Sequence, residues 1–148
     1  MKNLIPFFMA AVIIISFSFH SCGKIHDPVS DEELGGFWTF DSLYDQNDLF
    51  FRCFPDSLET SVFINFSDSG CISLHGICNT GSARYYLSKT GILIYDVSLT
   101  EMYCGAGGAE WEDYLYRLNN VTSCKIEDQR LVLSEPGNFS MFFSRPNL

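Results

Sequence analysis

The chain has 148 residues, 47% hydrophobic and 16% aromatic. That is enough for one domain, too few for two comfortable ones, and too rich in Phe and Tyr for the disordered class. Nine Lys and Arg against eighteen Asp and Glu give a formal charge of −9, which repels phosphate backbones, so nucleic acid is not an expected partner.

Lys2 is the only charge before Lys24, and Leu4 to Phe19 is almost unbroken hydrocarbon. A short positive region followed by such a core has the form of a secretory signal peptide. A transmembrane anchor is the competing pattern, but a span usually takes about 20 apolar residues. This run instead ends in Phe19-His20-Ser21-Cys22, which resembles the lipobox of bacterial lipoproteins. Phe19 stands where lipoboxes favour Leu. The resemblance implies cleavage before Cys22, a diacylglycerol on its sulfur and acylation of its new amino group, and two or three chains anchor stably where one is marginal. A plain secreted protein cut nearby and an uncleaved N-terminal helix are the alternatives.

Residues 1–21 are thus expected to be a signal peptide, whose loss removes Lys2 and takes the charge from −9 to −10. Residues 22–34, with Pro28, Ser30 and the run Asp31-Glu32-Glu33, are expected to be a flexible acidic tether. An acidic tether also resembles the signals some Bacteroidetes-type lipoproteins use to reach the outer face. Outer-membrane, periplasmic and surface locations therefore all stay open.

Residues 35–148 carry the folded domain. Their periodicity is mostly two, the spacing of side chains that alternate across a strand. Phe37 to Asp41 is the first expected strand. Val62, Ile64 and Phe66 then share one face of the next, Asp68-Ser69-Gly70 supplies turn chemistry, and Cys71 to His75 returns antiparallel. Ala83 to Leu87 and Leu93 to Val97 follow. After them Trp111, Tyr114, Leu115 and Leu118 recur at helical spacing, with Glu110, Glu112, Asp113 and Arg117 on the other side and Asn119-Asn120 able to end the helix. Ser123 to Ile126, Arg130 to Leu133 and Ser140 to Phe143 are the last strands. They are joined by turns at Glu127-Asp128-Gln129 and Glu135-Pro136-Gly137-Asn138. Short, closely spaced strands argue a meandering antiparallel sheet, and a lone amphipathic helix must lay its apolar stripe on it. The expected fold is mainly β: a curled antiparallel sheet or partly open β-barrel with one packed α-helix.

Beyond Cys22 there are Cys53, Cys71, Cys78, Cys104 and Cys124. An export signal sends them to an oxidising compartment, where disulfides are the default. Five thiols close at most two bridges, so one stays over.

Gly76-Ile77-Cys78-Asn79-Thr80-Gly81, Tyr85-Tyr86-Leu87, Thr100-Glu101-Met102-Tyr103-Cys104, the helix with Glu112 and Leu118, and Leu131-Val132-Leu133 follow one another in an order that resembles the META-domain family. Gly36-Phe37-Trp38 resembles the Gly-x-Trp that opens such domains, and the likeness covers Gly35 to Phe143. Gly81 follows the Cys-Asn pair more closely than is usual, Gly105-Ala106-Gly107-Gly108 replaces a proline-containing stretch, and Tyr44 to Leu58 looks like an insertion. The resemblance implies a small exported bacterial domain, often a lipoprotein associated with envelope or heat stress, without established enzymatic activity. Its barrel-like fold agrees with the periodicity.

Chemistry has few carriers in this chain. Cys78 as a nucleophile needs a base, and His26 and His75 are the only imidazoles left after cleavage. His75 lies three residues before Cys78, which puts the two on opposite faces of a strand unless a turn intervenes. A Cys78–Cys104 disulfide is the favoured reading. It would close a loop of about 25 residues and contribute roughly 3 kcal/mol. A soft metal held by His75, Cys78 and Cys104 is the sharper alternative, unsupported by any Cys-x-x-Cys pair. Glu110, Glu112 and Asp113 read as a solvated helix start, and Met102 and Tyr103 as core. Catalytic residues, metal and cofactor are accordingly expected to be none.

Aromatic excess is the remaining signal. Most of Phe50, Phe51, Phe54, Tyr85, Tyr86, Tyr95, Phe139, Phe142 and Phe143 are expected in the core. Phe50, Phe51 and Phe54 are the first candidates for an exposed apolar patch. The expected function is a lipid-anchored, non-enzymatic binding or structural role in the envelope, with the membrane as partner and an apolar ligand or envelope protein as a further one. The alternative is a barrel-type carrier or inhibitor module that holds an apolar ligand or a partner's peptide.

Overall fold

The computed structural model describes residues 28–46, 62–76, 79–102 and 108–146. Eight antiparallel strands form one sheet: β1 (Gly36–Asp45), β2 (Phe63–Ser67), β3 (Cys71–His75), β4 (Thr80–Ser88), β5 (Gly91–Leu99), β6 (Ser123–Glu127), β7 (Arg130–Glu135) and β8 (Phe139–Ser144). Their order across the sheet is β5-β4-β3-β2-β1-β8-β7-β6. Two meanders therefore meet at β1, whose first residues, Gly36 to Thr39, pair with β2 and whose remainder, Thr39 to Asp45, pairs with β8. The curled sheet with one main helix matches the expected class.

Two bulges set which side chains face inward. In β1 the register passes from Phe40↔Phe143 to Ser42↔Phe142, which leaves Asp41 as an extra residue. One inserted residue shifts a period-two pattern by one. Trp38 is therefore inward before the bulge, Leu43 and Asp45 are buried after it, and the strand runs four residues past the expected Asp41. In β5, Asp96 and Val97 stand opposite Ala83 alone, and Asp96 takes a left-handed φ of 53°. The tight β6–β7 turn places Asp128 and Gln129 at φ 49° and 64°, the conformation a two-residue hairpin loop requires.

The interior is filled with side chains. Trp38, Ile64, Phe66, Ile72, Leu131, Leu133, Met141 and Phe143 are essentially solvent-free. Truncating one of them, Phe143→Ala for example, would cost about 3–5 kcal/mol.

Helix α2 (Gly108–Asn119) closes one end of the half-barrel. Trp111, Tyr114 and Leu118 are buried as the spacing predicts, with the Tyr114 ring edge-on to Phe40 at 5.1 Å. Arg117, expected on the solvent side, is instead drawn in. It reaches Asp45 of β1 at 2.6 Å and Asp113 at 2.8 Å and lies over the Phe139 ring. The β1 bulge, invisible to the helical pattern, is what presents Asp45 to it. Burial works against the guanidinium's charge, but its hydrogen bonds to Asp113 and Asp45 outweigh that and hold it above its ordinary pKa.

The other end is plugged by a short helix, α1 (Asp31–Leu34), where a tether was expected. Ser30 and Glu33 form a capping box, whose hydrogen bonds from the Ser30 backbone and hydroxyl lower the Glu33 pKa. Leu34 is fully buried. The Trp38 indole N–H donates to Leu34 O at 2.7 Å, and Arg145 donates to the carbonyls of Gly35 and Glu33 while stacking over Trp38 at 3.9 Å. Tyr85 Oη lies 3.0 Å from Asp31 Oδ1 and 3.1 Å from Ser67 O. Composition made this segment look solvated, and the single buried Leu34 with its carbonyl acceptors reverses that. No described helix is long and apolar enough to cross a membrane.

Candidate functional site

The segments around the Cys-Asn and Thr-x-Met motifs come together at the α2 end, where β3 gives way to β4 and β5 ends. Asn79 is buried there, 7% exposed, and serves as a clamp. Its Oδ1 accepts from the Met102 backbone N–H at 2.9 Å and from Thr100 Oγ1 at 3.2 Å, and its Nδ2 donates to Met102 O at 3.3 Å. Thr100 Oγ1 also accepts from the Thr80 N–H, while the Thr100 N–H donates to Thr80 O. The Gly76 N–H donates to Asn79 O and closes the turn. A side chain on Gly76 would put its Cβ 2.5 Å from the Trp111 ring, so glycine is what lets α2 pack under this turn.

This arrangement fastens loops and leaves little for catalysis. The amide of Asn79 and the hydroxyl of Thr100 are engaged with each other and with backbone. His75 stacks flat on Phe63 at 4.5 Å, and Phe63 meets Phe37 edge-on, which places the imidazole in an aromatic cluster of the sheet. Among the described residues no group of three His, Cys, Asp or Glu side chains could hold a metal. Met102, expected in the core, is 61% exposed: the fold uses its backbone and leaves its side chain outside.

The other expected site residues are placed as follows. Cys22, Cys53, Cys78, Cys104, Phe50, Phe51 and Phe54 lie outside the described residues. Cys71 and Cys124 are both free thiols, so neither belongs to a bridge. Tyr85, Phe139 and Phe143 are core, but Tyr86 and Tyr95 take the outward positions of β4 and β5 beside Leu93. Period two, which puts Tyr85 inside, necessarily puts Tyr86 outside.

A second feature was not legible in the sequence. The sheet's two edges meet where the Ile92 N–H of β5 donates to Thr122 O at 3.3 Å. Gly91 permits the approach, since a Cβ there would lie 2.0 Å from that carbonyl oxygen. Beside this seam, under the N-terminal segment, is a cavity of about 190 Å³. Val29, Leu87, Cys124 and Ile126 give it an apolar wall continuous with the core, and Lys89 and Lys125 stand exposed at its rim. Burial pushes the Cys124 thiol up to about 12 and keeps it protonated and inert. Lys89 and Lys125 lie far apart in sequence, and only the curl of the sheet brings them to one opening.

A META-domain model matches residues 34–147. The chain belongs to the META-domain family. Membership suggests a non-enzymatic role, in keeping with the engaged Asn79 and Thr100. Among solved structures, this META domain is similar to the NMR structure of a protein from Burkholderia xenovorans. The TM-score is 0.68 at 16% identity, over 82% of this chain and 92% of that one. It is also similar to a DUF4847 family protein from Bacteroides vulgatus, with a TM-score of 0.56 at 13% identity over 75% and 92% of the two chains. At those identities the likeness is one of fold. No curated protein matches the chain.

Proposed function

We propose that this META domain is exported, cut before Cys22 and held by lipid on that residue, and that it serves the bacterial envelope as a non-enzymatic binding or structural module, with a stress-related role in view. The observation that carries the non-enzymatic part is the Asn79 clamp: the polar groups of the family motifs are used to fasten β4 to the segment after β5. The greasy leader ending at Ser21-Cys22 carries the anchoring part. A Cys78–Cys104 bridge belongs to the same proposal. Asn79 follows one of these cysteines, Met102 precedes the other by two residues, and Asn79 and Met102 are hydrogen-bonded, so a covalent tie would reinforce the clamp.

A second reading, a carrier or inhibitor module, draws on exposed apolar side chains: Phe37, Tyr86 and Leu93 are each more than half exposed on the sheet. Mass spectrometry of the protein from its native membrane fraction, unreduced and reduced, tests the first reading. The expected species begins at Cys22, carries acyl mass, and gains one pair of hydrogens on reduction. A mature chain with an unmodified N-terminus would refute the anchor, and an unchanged mass on reduction would refute the bridge.

A further inference from the structure

The seam cavity combines features that point to a ligand of one kind. Its apolar wall (Val29, Leu87, Cys124 and Ile126) is joined to the core, while its rim carries Lys89 and Lys125. No carboxylate pairs with either lysine among the described residues. Among the described residues Glu33 is the one acid that lines the cavity, and its Oε2 is taken by the Ser30 N–H and hydroxyl. In a chain with a formal charge of −9, two unpaired cations at one opening are a local exception. The cavity volume, about 190 Å³, equals roughly six waters at about 30 Å³ each. That admits a charged head and its first few carbons but not a long chain. Pro28, six residues after Cys22 in the sequence, also lines the cavity.

We propose that the seam cavity binds the head of an anionic phospholipid, with the phosphate between Lys89 and Lys125 and the glyceryl carbons against Leu87 and Ile126. Free inorganic phosphate shares the charge but lacks the carbons that the apolar wall would cover. The proposed membrane setting supplies the ligand, but the test does not depend on it.

The test uses residues 22–148 with Cys22→Ser, which keeps every described residue and removes any acyl chain that could compete. Dihexanoyl phosphatidylglycerol below its micellar concentration, dihexanoyl phosphatidylcholine and inorganic phosphate are titrated separately against the ¹⁵N-labelled protein. The expected result is saturable shifts of the Thr90, Gly91, Ser123 and Cys124 amides with phosphatidylglycerol. Phosphatidylcholine and inorganic phosphate should bind at least about tenfold more weakly, and K89A/K125A should lose at least about tenfold, as expected when charged hydrogen bonds are removed. Both lysines are exposed, so unchanged amide positions elsewhere will show that the variant is folded. Absence of saturable shifts at these four amides, or equal binding by K89A/K125A, would overturn the site. Equal affinity for inorganic phosphate would overturn the lipid as its source.

Discussion

Asn79→Ala removes the three hydrogen bonds that tie the end of β5 to the start of β4: two accepted by Oδ1, from Met102 N–H and Thr100 Oγ1, and one donated by Nδ2 to Met102 O. A neutral hydrogen bond contributes about 0.5–1.5 kcal/mol net, so the set is worth roughly 3 kcal/mol. Met102 is largely exposed, and water can reclaim part of its backbone bonding, which leaves a loss of about 2 kcal/mol. For a domain of this size that corresponds to a fall in Tm of roughly 6–10 °C. Thermal and urea unfolding followed by circular dichroism will measure it, and hydrogen exchange at the Met102 amide should accelerate in parallel. Thr100→Val should cost less, and the double variant should lose less than the sum of the two, by about 1 kcal/mol, because the residues share a bond. An Asn79→Ala loss under 0.5 kcal/mol, or strict additivity, would refute the clamp.

Further substitutions probe other parts of the fold. Gly91→Ala sets a methyl against Thr122 O where the sheet edges meet; it should destabilise by about 2–3 kcal/mol, read from the urea midpoint. Burial, and then the bond to Asp31, push the Tyr85 hydroxyl up to about 12 from its ordinary 10. The fold therefore favours the neutral phenol, and its contribution is whole below pH 10 and lost as pH rises toward 12. Tyr85→Phe should remove that alkaline loss, seen by comparing unfolding at pH 9 and pH 12, and should cost about 1 kcal/mol at neutral pH. Arg117→Met takes the guanidinium from Asp45, whose side chain is 9% exposed, and should cost about 3 kcal/mol. Adding Asp45→Asn should recover most of that in the same denaturation assay.

Local pattern told most where one face of an element meets the core and the other meets water. Val62, Ile64 and Phe66, the β3 return, and the Trp111-Tyr114-Leu118 stripe all sit as their spacing requires. What the pattern missed depends on contacts remote in sequence. The Asp41 bulge, which extends β1 and turns Asp45 inward, is set by pairing with β8. Helix α1 exists because Leu34 reaches the core, its carbonyl takes the nearby Trp38 N–H, and the carbonyls of Glu33 and Gly35 take Arg145 from the far end of the chain. The motif residues were legible as a set, but Asn79 as a fastener was not, since an amide beside a cysteine looks the same whether it binds backbone or substrate. The seam cavity gave no signal, because Lys89 and Lys125 acquire a common opening only when β5 and β6 approach.

Anchoring through Cys22 is tested most directly by following the full chain and its Cys22→Ser variant through cell fractionation. The parent protein is predicted in the membrane fraction, released by detergent and not by high salt, and the serine variant among soluble exported proteins. Identical partitioning of the two, whether both stay with the membrane or both leave it, would contradict a lipid on that sulfur.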